Sequence, residues 1–266
     1  MRQILSLQNP KIKFLRKLRE RKCRDEYSLM LVEGIREVRL AFQSKYVCEG
    51  MYICQELIPP LEFKKMNEQS EKHQTDLYQV SLEVYDKISF GQRREGVIAS
   101  FKTFRRSLSD LRLNDKSLIV VIDGVEKPGN IGAMIRSCDA AGADAVLLCG
   151  VRTDVFNPHV IRASIGSVFS MQVVAEEHEN IRRFLSANHI RVVGTLPEAE
   201  KLYSEENYTQ STAIIMGSEA NGVDPFWKGH FDASVALPMF GHVNSLNVSS
   251  TLAVMIYEVI RQRKGR

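Results

Sequence analysis

Leu118-Ile-Val-Val-Ile-Asp123 is an unbroken apolar run that ends in a carboxylate. Its length suits a buried parallel strand. A loop with Pro128 and Gly129 follows, then a helical pattern over Ile131–Ala141. Asn130 is placed to cap the start of that helix, and Gly142 can end it. Ala145–Cys149 is the next apolar run. Strand, loop, helix and strand in succession predict an α/β domain with a parallel sheet. Further strands are expected at Val192–Thr195, Ala213–Met216 and Ser234–Leu237. A last helix over Val248–Arg263 carries Leu252, Met255, Ile256 and Val259 on one face. Its terminal cations Arg261, Arg263 and Lys264 suit the negative end of a helix dipole.

Three loops follow three of these strands. They are Asn130-Ile-Gly-Ala-Met-Ile-Arg136, Gly217-Ser-Glu-Ala-Asn-Gly222 and Leu237-Pro-Met-Phe-Gly-His-Val-Asn-Ser-Leu-Asn-Val-Ser249. In a parallel sheet the carboxyl ends of the strands gather on one edge, where ligands bind. Asn, Arg, Glu and Ser side chains converging there suggest one assembled site. Several nucleotide and hydrolase signatures are excluded. There is no G-x-G-x-x-G and no G-x-S-x-G. Gly217 and Gly222 have the glycine spacing of a phosphate loop, but Val223-Asp224 stands where Lys-Ser/Thr is needed, and Glu219 would repel phosphate.

The first half alternates shorter patterns. Strands are expected at Tyr27–Glu33, Met51–Cys54, Leu77–Val80 and Val97–Phe101, with helices at Ile35–Phe42 and Leu61–Lys72. This is a small α/β unit. The polar, aperiodic stretch 102–117 marks the boundary, so the expected domains are 1–105 and 106–266. Charge divides the same way. Residues 1–106 hold 21 Lys+Arg against 14 Asp+Glu, whereas residues 107–266 hold 15 against 18. Residues 11–24 alone carry eight basic side chains and one acid, Glu20. Such an excess suits a polyanion. It equally suits the solvated face of an amphipathic helix, since Ile12, Leu15 and Leu18 recur every third residue.

The chain has 266 residues, 44% apolar and 26% charged, an ordinary globular composition. No apolar run is long enough to span a bilayer, and the N-terminus lacks a signal-peptide pattern. A cytoplasmic protein is expected. The five cysteines, Cys23, Cys48, Cys54, Cys138 and Cys149, include no C-x-x-C pair, and the six histidines form no H-x-x-x-H pair. Reduced thiols and no metal are expected.

The three loops resemble motifs one to three of the SpoU (TrmH) family of RNA 2′-O-ribose methyltransferases, in the SPOUT superfamily. Pro238-Met239, Gly241 and Ser245-Leu-Asn-Val-Ser249 are the most specific part of the match, which runs over about residues 117–263. Leu31-Val-Glu-Gly-Ile-Arg36 and the basic segment before it resemble the family's N-terminal RNA-binding domain, an α/β fold related to a ribosomal protein. The resemblance implies a Rossmann-like parallel sheet tied in a deep trefoil knot, S-adenosylmethionine as cofactor, and a homodimer. It implies a cofactor shell of Thr195, Leu196, Gly217, Leu237, Met239 and Leu246. For the last three, plain core packing is the alternative.

The same resemblance assigns Arg136, Asn130, Glu219, Ser245 and Asn247 to catalysis. The family's motif-one arginine is often assigned as general base. A guanidinium, with a pKa above ~12, scarcely loses its proton, so an electrostatic role for Arg136 is preferred: holding RNA phosphate and stabilising a developing alkoxide. A surface salt bridge is the alternative. Glu219 is expected to bond backbone N–H groups or Arg136. Helix capping is the alternative for Asn130, Ser245 and Asn247. Ile165, in Arg162-Ala-Ser-Ile-Gly166, stands where certain resistance-conferring relatives carry arginine. The expected substrate is structured RNA, ribosomal RNA first and transfer RNA second. The rival from another class is a non-catalytic RNA-binding or ribosome-assembly protein on the same scaffold.

Overall fold

The computed structural model describes residues 2–90 and 93–264. The chain divides into two compact units. One comprises the residues up to Phe104 together with Asp154–Ser170, and the other Arg105–Thr153 together with the residues from Met171 onward.

The first unit starts with strand β1 (Arg2–Ile4) and helix α1 (Pro10–Lys17), capped by Asn9, whose Oδ1 accepts the Lys11 N–H at 2.9 Å. The basic segment is not one helix. It breaks after α1 and resumes as α2 (Arg21–Tyr27). Arg24 explains the corner. Buried to 2% exposure, it donates from Nη1 to the carbonyls of Leu18 (2.9 Å) and Arg19 (2.6 Å), which the end of α1 leaves without helical donors. Asp154 balances its charge at 2.5 Å. Ile12, Leu15 and Leu18 are all buried, in one cluster with Tyr85 and Ile88. Burying each is worth about 1.5–3 kcal/mol, which fixes the inner face of this segment and leaves its cations outside.

The remaining elements of this unit are β2 (Leu29–Glu33), α3 (Ile35–Gln43), β3 (Cys48–Ile53), α4 (Pro60–Lys72), β4 (Leu77–Val80), α5 (Leu82–Ile88) and β5 (Val97–Lys102). The five strands form a mixed sheet in the order β1-β4-β3-β5-β2. Strand β4 runs parallel to β1 and β3, and β5 runs antiparallel to β3 and β2.

The second unit opens with β6 (Leu118–Asp123), α6 (Pro128–Ala141) and β7 (Ala145–Cys149). The helix starts earlier than its periodicity suggests, because Pro128 fits the first turn, where no N–H is needed. Lys127 is therefore the N-cap, and Asn130 lies inside the first turn. Gly142, at φ 71°, takes the left-handed position that ends it. The chain then crosses to the first unit for α7 (Pro158–Ala163) and α8 (Ser167–Ser170), where Arg162 approaches Glu33 at 3.6 Å. Ile165 sits in that segment at φ 49°, a rare conformation for a β-branched residue.

On return come β8 (Val173–Ala175), α9 (His178–Ala187), β9 (Arg191–Thr195), β10 (Thr212–Met216), α10 (Pro225–Lys228), β11 (Ala233–Val235) and α11 (Val248–Lys264). All six strands are parallel, in the order β11-β9-β10-β6-β7-β8. Every residue of β6, β7 and β10 is buried, which is why these strands read as continuous apolar runs. Helix α11 packs on α6 through its buried face of Leu252, Met255, Ile256 and Val259. Among the described residues no helix is long and apolar enough to cross a membrane.

Candidate active site

Strands β9, β10 and β11 are neighbours, so their carboxyl ends open on one edge of the sheet. A cavity of about 210 Å³ lies there. Thr195, Leu196 and Pro197 leave β9 into it. Met216, Gly217, Ser218, Glu219 and Gly222 leave β10, and Leu237, Met239 and Asn244–Leu246 follow β11. Val248 and Thr251, from the first turns of α11, complete the lining. All six residues expected in the cofactor shell line this one cavity. Of the seven unexpected ones, Pro197, Met216, Ser218, Asn244 and Val248 neighbour expected residues, Thr251 lies one helical turn on from Asn247, and Gly222 closes the middle loop.

Gly217 shows how the middle loop is built. A Cβ there would lie 2.2 Å from the Gly222 carbonyl carbon and 2.3 Å from the Val223 nitrogen, both backbone atoms. The loop folds back on itself at this point. Ser218 and Gly222 exchange N–H···O bonds of 2.9 and 3.0 Å. The third loop is open instead. Among the described residues no backbone N–H between Leu237 and Asn247 has a hydrogen-bond acceptor, and residues 240–247 are exposed.

Three expected catalytic residues join the loops. Asn130 donates from Nδ2 to Glu219 Oε1 in a short bond and accepts from Asn247 Nδ2 at 3.2 Å. Asn247 also accepts the N–H (2.9 Å) and hydroxyl (2.6 Å) of Ser249, capping α11. The chain Glu219–Asn130–Asn247 thus links the middle loop, α6 and the third loop.

Two expectations are corrected. Asn130 is not the cap of α6; its side chain is free for this link. Glu219 is exposed, and its partner is the Asn130 amide rather than a backbone N–H or Arg136. Ser245 lines the cavity. Arg136 stands apart from this lining. It is exposed on α6, opposite the buried Ile131, Ile135 and Cys138, and has no ion pair among the described residues.

Asp123, at the end of β6, was not expected to matter. It is 1% exposed. Its Oδ2 accepts the Asp224 N–H at 2.6 Å, anchoring the far end of the middle loop, and its Oδ1 meets His178 Nε2 at 2.8 Å. Cys149 Sγ lies 3.5 Å from the same Oδ1. These three residues bring their donor atoms within 4.8 Å of one another, close enough to hold a metal ion. Without a metal, burial and the Asp123 charge push the Cys149 pKa up, so the thiol is held as a hydrogen-bond donor to Asp123. A carboxylate at the end of an apolar strand was the one signal in the sequence.

Residues 117–257 match the SpoU rRNA Methylase family, and residues 9–99 match the MRM3-like substrate binding domain. The chain is 29% identical over 259 residues to the 23S rRNA (guanosine(2553)-2′-O)-methyltransferase RlmP of Bacillus subtilis, covering 97% of this chain and 99% of that one. A crystal structure of an RNA 2′-O ribose methyltransferase superposes with a TM-score of 0.87 at 38% identity, covering 98% of this chain and 99% of the other. That of an AdoMet-bound rRNA methyltransferase from Sinorhizobium meliloti superposes with a TM-score of 0.89 at 26% identity, over 98% and 97% of the two chains. With the loops, the cavity and these likenesses in agreement, the chain belongs to the SpoU rRNA Methylase family.

Proposed function

We propose that this chain is an S-adenosylmethionine-dependent RNA 2′-O-ribose methyltransferase acting on large-subunit ribosomal RNA. The observation that carries this reading is the single cavity into which Thr195, Leu196, Gly217, Leu237, Met239 and Leu246 all open. Its chemistry fits the cofactor. The open N–H groups of the third loop suit adenine and ribose, while Leu237, Met239, Leu246 and Val248 supply apolar walls. When bound, the cofactor supplies an electrophilic methyl group on a sulfonium.

The chain's own residues must then align a ribose hydroxyl and stabilise the charge that develops on it. The Glu219–Asn130–Asn247 chain holds the two loops and α6 in fixed register, a preorganising role. Arg136 remains cationic and without an ion pair among the described residues, suited to an RNA phosphate and a developing alkoxide. Ser245 offers a hydroxyl at the cavity wall. A target at the 2′-hydroxyl selects RNA over DNA.

The first unit is the RNA-binding domain in this reading, and residues 1–105 and 106–266 are its functional division. The deep trefoil knot and a cytoplasmic location belong to it as well. So does a homodimer, for which α11 offers the exposed Val254 and Tyr257. Transfer of labelled methyl groups to ribosomal RNA, with the products mapped for 2′-O-methylation, tests the proposal. Transfer to transfer RNA alone would redirect it. Absence of transfer to any RNA would favour the non-catalytic rival.

A further inference from the structure

Four cations gather around one hollow in the first unit, and none of them lines the cavity described above. Lys13, Arg16, Lys17 and Arg19, with Glu20, line a concavity of about 390 Å³ where α1 gives way to α2. Lys13, Arg16 and Lys17 are exposed and have no ion pair among the described residues. Glu20 is the single acid of the lining.

Arg19 differs from its neighbours because it is pinned. Its Nη2 donates to the carbonyls of Lys87 (3.2 Å), Ile88 (2.9 Å) and Ser89 (2.5 Å), at the end of α5. Its own carbonyl is held by the buried Arg24. The corner is therefore fixed from both sides, and among the described residues neither Nε nor Nη1 of Arg19 has an acceptor. Burial and the like charge of Arg16 weaken the hold of Arg19 on its proton by more than the Glu33 charge restores, so an added anion would be favourable there. A solvated helix face explains exposed lysines. It does not explain a guanidinium anchored by three carbonyls beside three further cations.

We infer that Lys13, Arg16, Lys17 and Arg19 form a binding site for a backbone phosphate of the RNA substrate. The anchored guanidinium is a fixed positive charge beside the hollow, and the three flexible cations add charge that can adapt to a phosphate. This rests on the RNA reading above and deepens it by naming where the polyanion is held. Being sequence-independent, such a site contributes affinity and salt dependence rather than choice of nucleotide.

Two variants of the full chain test it: the triple variant K13A/R16A/K17A and the single variant R19K. Affinity for a ribosomal RNA fragment is measured against salt concentration, and S-adenosylmethionine affinity serves as the folding control. The triple variant should bind RNA at least ~10-fold more weakly, with a log–log salt slope shallower by about 0.7–0.9 for each phosphate it no longer neutralises. Its cofactor affinity and its turnover at saturating RNA should be unchanged. R19K keeps the charge but loses the planar group anchored on the three carbonyls, and should weaken RNA binding by a smaller factor.

A triple variant that keeps wild-type affinity and salt slope, in an otherwise active enzyme, overturns the phosphate site and leaves the functional proposal standing. A wild-type protein that binds no RNA overturns both. Heparin but not ribosomal RNA captured by this face would also overturn the assignment.

Discussion

Asp123 Oδ2 accepts the backbone N–H of Asp224 at 2.6 Å, tying the end of β6 to the loop that lines the cavity from Gly217 to Gly222. The other carboxylate oxygen is held by His178, so the group cannot swing away. Asp123→Asn keeps the shape but halves the accepting capacity and places an amide donor against one of these donors. The expected outcome is a folded protein whose S-adenosylmethionine affinity falls ~10-fold or more, measured by calorimetry. A buried hydrogen bond to a charged group is worth about 1.5–3 kcal/mol, which sets that scale. Unchanged affinity would show that the loop is held by other means.

Arg136→Ala should reduce methyl transfer by a factor of about 10²–10³, the usual loss when one preorganised charge stabiliser is removed. Cofactor affinity should stay within a factor of two or so, because Arg136 does not line the cavity. Single-turnover kinetics with saturating RNA and cofactor separates the two. Retained turnover would remove Arg136 from the chemistry.

Gly217→Ala places a methyl group 2.2 Å from the Gly222 carbonyl carbon, so the backbone of the loop must move. The loop lies at the surface edge of the sheet, and the core strands behind it are intact. Loss of cofactor binding with a nearly unchanged thermal midpoint is therefore the expected result. A large drop in midpoint, with binding retained at low temperature, would show that Gly217 serves stability instead.

Glu206 gives a pH-dependent test of the second unit. Its side chain is 1% exposed between Arg191 (2.6 Å) and Lys201 (2.8 Å). Burial raises its pKa, but the Lys201 hydrogen bond, the Asn207 N–H and the Arg191 charge outweigh that and leave it lowered. A lowered folded pKa contributes stability that is complete above the unfolded carboxylate value and is lost as pH falls through the folded one. Glu206→Gln should therefore be less stable than wild type at pH 7, by about 1.5–3 kcal/mol. The gap should close as pH drops below the ordinary carboxylate range. A gap independent of pH in urea denaturation would contradict the assignment.

The sequence was most legible where one local signal decided the outcome. Leu118–Asp123, whose length suits a buried strand, is one, and Gly142 ends α6 where expected. The parallel sheet follows from such runs. What stayed hidden was set by partners distant in sequence. The crossing of Asp154–Ser170 into the first unit depends on Arg24 meeting Asp154 across 130 residues and on Glu33 meeting Arg162. Asn130 looked like a cap because its neighbourhood is that of a helix start. Only the fold brings Glu219 and Asn247 to its amide. The short strands β1 and β8 carried too little pattern to be read, whereas α9 has Ile181 and Leu185 at helical spacing and was missed despite that signal. The cofactor-shell residues came from resemblance to a family. Spacing alone left Leu237, Met239 and Leu246 as ordinary core residues.

The most direct test is a crystal structure of the protein with S-adenosylmethionine bound. Density for the ligand is expected in the cavity between Thr195, Gly217 and Leu246. Ligand bound elsewhere, or those three loop segments packed shut against one another with no ligand between them, would contradict the proposed chemistry.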